Sequence, residues 1–178
     1  MEEYVRDYAM YASVFGLFSM SWFGWAQEKP RESWRAGLGI AAGAALLVCL
    51  AGVYLSITNW DAPSALNETS AFRAYLIAFY AELALAGIGS WLLYRAKRPS
   101  FVAPWITLVV GVHFISLKSV FDDAALYLLA ALMIAVALAA VPLARKLNVA
   151  SSAMTGIGCG TILLGFAALG LIRFWMAA

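Results

Sequence analysis

Two residues set in apolar surroundings have side chains that can exchange a proton or hold a charge. They are Glu82, in AFYAELALAGIG, and His113, the only histidine of the chain, in ITLVVGVHFISLKSVF. A carboxylate stranded in hydrocarbon is costly, so an embedded acid is expected to be neutral, paired or in contact with water. An imidazole suits it as a partner, because it can act as a hydrogen-bonding group or as a cation and changes charge near neutral pH. Counted along the two apolar runs, Glu82 lies about 10 residues, or roughly 15 Å, below the end of its helix, and His113 about 8 residues, or roughly 12 Å, below the same end of the next. On adjacent antiparallel helices the two share a level and can pair.

Tyr75, Glu82 and Gly89 recur at seven-residue spacing and so share one helix face, with Ala78 and Ala86 leaving room between them. Together with Tyr11 and Tyr80 from the same half of the molecule, they suggest a pocket lined by tyrosine and glutamate. Ring faces and a carboxylate suit a small cation or a proton. The plainer alternative is that the tyrosines form an interfacial belt and the Glu82–His113 pair only ties two helices together. Ser116 and Lys118 complete the candidates around His113. Lys118 is five residues from the histidine, on a different face, and four before Asp122, where its long stem can lift the ammonium to the interface.

Catalysis would need a nucleophile, a metal cluster or paired carboxylates at one depth, and only one acid is embedded. Ser116 and Ser119 come with no orienting acid or oxyanion motif, and serine in such a helix more often bonds its own backbone. Cys49 and Cys159 lack the spacing of a zinc site or disulfide and read as small buried hydrophobes. GIGCG has neither the preceding strand nor the following Lys-Ser or Lys-Thr of a phosphate loop. No catalytic residue, metal ligand set or cofactor is therefore assigned, and an enzyme is the weaker class.

The elements that must position these residues follow from composition. With 64% hydrophobic and 12% charged residues, the chain reads as a bilayer protein. A formal charge of +2, confined to short loops, excludes nucleic acid as a partner. Spanning hydrocarbon takes about 20 apolar residues. Six stretches meet that test, at roughly 8–26, 35–58, 71–94, 101–121, 124–144 and 151–175, which predicts an all-α polytopic membrane protein: a six-helix transmembrane bundle in a single domain over 1–178. The apolar runs are continuous rather than alternating, which excludes a barrel. The leading MEEYVRD is acidic and no small-residue cleavage site follows, so the first span is expected to remain in the mature protein. Pro30, Ser33, Pro99 and an N-cap at Ser70 punctuate the connections.

Lys29, Arg31, Arg35, Arg95, Lys97, Arg98, Arg145 and Lys146 fall at one end of these spans; Arg6, Arg73, Lys118 and Arg173 fall at the other. The positive-inside rule then places both termini outside. Glu2, Glu3, Asp7, Asp61, Glu68, Asp122 and Asp123 give that outer end an acidic mouth. Trp22, Trp25, Trp34, Trp91 and Trp105 suggest an indole belt at the opposite end. Close helix packing in lipid depends on small residues, so Gly39 with Gly43 in the second helix, and Gly156 with Gly160 in the sixth, mark these helices as central or dimer-forming. No residue-level repeat relates the two halves.

SVFGLFSMSWFGWAQEKP and ITLVVGVHFISLKSVF resemble the signatures of small bacterial membrane proteins with six predicted spans and no established activity. Trp22, Phe23, Gly24, Trp25, Gln27, Glu28, His113 and Phe114 match. The family's histidine motif continues toward Pro-Leu-Ala, whereas this chain has Ile-Ser-Leu-Lys before Phe121, which removes the proline near Ser116. The resemblance implies a bacterial inner membrane and no reaction. Two functions fit the residues. One is a small transporter-like or ligand- and cation-binding bundle with an outward polar pocket. The other is a noncatalytic accessory or assembly subunit in which the Glu82–His113 pair is structural. Expected partners are the bilayer, a second copy or another membrane protein, and a small cation or proton.

Overall fold

A computed structural model describes residues 4–177, so Glu2 and Glu3 of the expected acidic mouth lie outside the described residues. The chain forms six long α-helices: α1 (Val5–Trp25), α2 (Arg35–Thr58), α3 (Thr69–Arg95), α4 (Val102–Phe121), α5 (Ala125–Leu147) and α6 (Ser151–Ala177). Five of them, α2 to α6, are long and apolar enough to cross a membrane. The exception is α1, whose tyrosines, serines, glycines and Asp7 dilute its apolar character. It packs between α2 and α6 along its length. Where a helix is packed on two sides, side-chain volume and backbone approach shape its sequence more than hydropathy does.

Close approach to α1 is made at glycines. A Cβ at Gly16 would meet the backbone of Cys49 at 2.7 Å, and one at Gly52 would strike the backbone of Ala12 and Ser13. On the other side, Gly156 abuts Trp22 and Ala26, Gly160 lies under the ring of Phe23, and Gly170 meets the carbonyl of Tyr8. The Ser19 hydroxyl donates to the Gly160 carbonyl at 2.7 Å, a buried bond made possible by that proximity. Gly39 and Gly43 do not serve this way: the space beside each is open, and the tight contact of α2 lies farther along, at Gly52. α2 makes its closest approach to α1 at Cys49 and Gly52, while its first turns pack through Leu38 on Phe23 and Ala26 and leave the Gly39 and Gly43 side open.

From α1 the bundle continues through α6, α5 and α4 to α3, which packs mainly on α4 and has no fully buried residue. The connections differ in detail from the expected punctuation. Ser70 lies inside the first turn of α3 rather than capping it, and the cap residue is Glu68. Asp122 ends α4 in a left-handed conformation, with φ of 46°. Asp123 accepts from the Ala125 N–H at 2.9 Å and from Arg173 at 2.7 Å, joining the start of α5 to the end of α6.

Candidate functional site

Because α3 leans on α4 while the backbone of α1 stays apart from it, a cavity of about 410 Å³ opens between α1, α3 and α4. The face of α1 that lines it carries Tyr11, Phe15, Phe18, Trp22 and Trp25, alternately four and three residues apart. That spacing holds one stripe of a helix toward one side. Phe15 meets Phe114 of α4 edge-on at 5.7 Å, and Tyr11 meets Phe121 at 5.5 Å. Leu126 of α5 and Leu163 of α6 close the back. From α3 come Tyr75, Phe79, Glu82, Leu83 and Ala86.

Within this apolar enclosure Glu82 and His113 meet, with His113 Nε2 at 3.3 Å from Glu82 Oε2. The histidine side chain is 9% exposed and the glutamate 21%. The Ala78 carbonyl lies near the imidazole, yet Nδ1 is buried without a partner in hydrogen-bonding geometry. The site thus places one carboxyl–imidazole pair in the wall of a largely apolar cavity. Glu82 and His113 are the only carboxyl and imidazole among the lining side chains; the other ionisable groups there are the phenols of Tyr11 and Tyr75.

Other expected site residues are elsewhere. Tyr80 is 64% exposed on the far side of α3, where it touches only Phe79 edge-on among aromatic rings. The Ser116 hydroxyl donates to the His113 carbonyl at 2.6 Å and faces away from the cavity, so it serves its own helix. Lys118 reaches Asp122 at 2.8 Å at the end of α4. Its ammonium holds the Asp122 carboxyl below the ordinary range. The pocket itself is therefore more aromatic and less polar than the tyrosine-lined cleft expected from sequence. The indole of Trp105 lies over Gly89 and donates to the Leu85 carbonyl at 3.1 Å, fixing α3 to α4.

The end of the cavity nearest the termini is closed by the 59–68 connection. Asp7 accepts the Ser64 hydroxyl at 2.6 Å and the Ala65 N–H at 2.8 Å. Arg6 donates to the Trp60 carbonyl at 2.6 Å and to Asn67 Oδ1 at 2.8 Å, with its guanidinium over the Trp60 ring. These bonds seat the 3-10 turn Ala65–Asn67 so that Leu66 packs into the cavity wall. The open side is lateral, between α1 and α3, where Val14, Phe18 and Leu83 are 42%, 52% and 53% exposed. Sequence reading missed both this closure and the α1 aromatic stripe. The stripe had a signal in its four-three spacing; the Asp7–Ser64 contact, spanning 57 positions, had none.

Among the described residues no group of three or more His, Cys, Asp or Glu side chains gathers as a metal site. Comparisons with family models, curated proteins and solved structures find no match to the chain.

Proposed function

We propose that this protein is a small ligand-binding, transporter-like membrane bundle whose binding site is the cavity between α1, α3 and α4. The observation that carries the reading is the Glu82–His113 pair, set in the wall of a cavity built mainly from aromatic and aliphatic side chains. An apolar pocket with a few convergent polar groups is the usual form of a small-molecule site. The setting is a bacterial inner membrane, in keeping with the likeness of the first and fourth helices, with six spans and both termini outside.

The test is native mass spectrometry of the intact chain extracted in mild detergent, beside an Ala86→Trp variant that fills the cavity. A small molecule retained by the first and lost from the second, with melting behaviour preserved, is the expected result. Equal retention by both proteins would overturn the assignment of the site. A second reading, an accessory subunit of a membrane complex, draws on the open space beside Gly39 and Gly43 and on the lack of any fully buried residue in α3. Stoichiometric copurification of a membrane protein that is lost on Gly43→Leu would favour that reading.

A further inference from the structure

Resting on the ligand-binding reading, we infer that the cavity takes a hydrophobic organic cation of single charge, entering from the bilayer between α1 and α3 and displacing one proton from the Glu82–His113 pair. Three observations converge on this class.

The first is charge. The titratable side chains facing the pair within the cavity are the phenols of Tyr11 on α1 and Tyr75 on α3, while α5 and α6 present Leu126 and Leu163. The nearest ammonium on α4, Lys118, is engaged with Asp122 at the helix end, and Asp7 is held by Ser64 and Ala65. Holding one proton, the pair is neutral, whether the proton sits on oxygen or nitrogen. Having lost it, the pair carries one negative charge with no protein cation inside the cavity to balance it. A monovalent cation restores neutrality, and the proton leaves to solvent: one positive charge enters as another departs.

The second is surface. Phe15, Trp22, Phe79 and Phe114 line the cavity around that charge. Ring faces attract cations most strongly where water is excluded, yet they offer little to replace the shell of a small hydrated ion. An inorganic cation would lose its water for one carboxylate. A cation whose charge is wrapped in carbon has little hydration to lose and gains apolar contact over its whole surface.

The third is access. Leu66 and the bonds of Arg6 and Asp7 close the end of the cavity nearest the termini, whereas the gap between α1 and α3 is flanked by exposed Val14, Phe18 and Leu83. Those side chains form an apolar approach suited to a molecule already dissolved in lipid.

The experiment compares three probes of similar shape on the full chain in detergent: tetraphenylphosphonium, the anion tetraphenylborate and neutral triphenylphosphine oxide. Trp22 and Trp25, stacked at 5.4 Å and lining the cavity, supply the fluorescence that reports binding. The phosphonium is expected to bind at least about tenfold more tightly than the neutral probe. It should release about one proton per molecule bound, read with an indicator dye in weak buffer. Glu82→Gln should erase both the preference for the phosphonium and the proton release. Equal binding of all three probes, preference for the borate, or phosphonium binding without proton release would overturn the cation inference and leave the cavity as a ligand site. Failure of every probe to bind the unmodified protein would remove the cavity reading as well. The proton count on the unmodified chain decides the matter even if Glu82→Gln does not fold.

Discussion

At the scale of single residues, the Glu82–His113 contact is a pair whose members depend on each other. Replacing one member by leucine strands the other in an apolar wall, at a cost of about 1–3 kcal/mol, whereas replacing both removes the unpaired group. Glu82→Leu and His113→Leu are each expected to lower the melting temperature in detergent, and the double variant to recover much of the loss. Strict additivity would mean that the two side chains do not interact. The same four proteins separate fold from function, since the double variant should fold yet no longer bind a cation. Asp7 is a second residue with leverage beyond its size. Asp7→Ala removes the acceptor of the Ser64 hydroxyl and the Ala65 N–H, and should cost about 1–3 kcal/mol. Amide exchange over residues 61–68 should quicken before the helices loosen, because this connection depends on those two bonds and on Arg6. Uniform acceleration across the bundle would instead assign Asp7 to global stability.

At the scale of helices, the glycines differ by what lies beside them. Gly52→Leu and Gly156→Leu would push apart backbones already in contact with α1, and each should destabilise the bundle by about 1–3 kcal/mol or more. Gly43→Leu meets no atom of the chain and should leave the melting temperature of the isolated protein unchanged. An equal loss for Gly43→Leu would place a partner against the first turns of α2. Much of this level was legible in the sequence: the six long helices, their breaks at Pro30 and Pro99, and the shared level of Glu82 and His113 follow from a rise of about 1.5 Å per residue and a fixed helical period. What periodicity does not carry is which face of a helix finds a neighbour. Gly39 and Gly43 have the spacing of a contact, as Gly156 and Gly160 do, and only tertiary packing distinguishes them. The same limit hid the position of Tyr80, which shares a helix with Glu82 but not its face.

At the scale of the whole molecule, α1 decides how many times the chain crosses the membrane. Its 21 residues extend about 31 Å, enough for a hydrocarbon core of about 30 Å, although its polar content sets it apart from the other five helices. It runs alongside α6 from the contact of Gly156 with Trp22 and Ala26 to that of Gly170 with Tyr8, and against α2 at Gly16 and Gly52. On the six-span reading proposed above, a helix in register with its neighbours over that distance crosses where they cross. With Cys49 and Cys159 buried, single cysteines introduced at exposed positions can be labelled against a low background. Asp61 lies at the end shared with the termini; Ser33 and Ser100 lie at the end carrying most of the lysines and arginines. An impermeant thiol reagent applied to intact cells should therefore modify Asp61→Cys and spare Ser33→Cys and Ser100→Cys, since basic loops are retained inside. A tag placed at the amino terminus should be reached from the same side as Asp61→Cys. Labelling of Ser33→Cys in place of Asp61→Cys would invert the orientation and leave the cavity intact. An amino-terminal tag found on the side of Ser33 would mean that α1 does not cross, and would overturn the six-span reading.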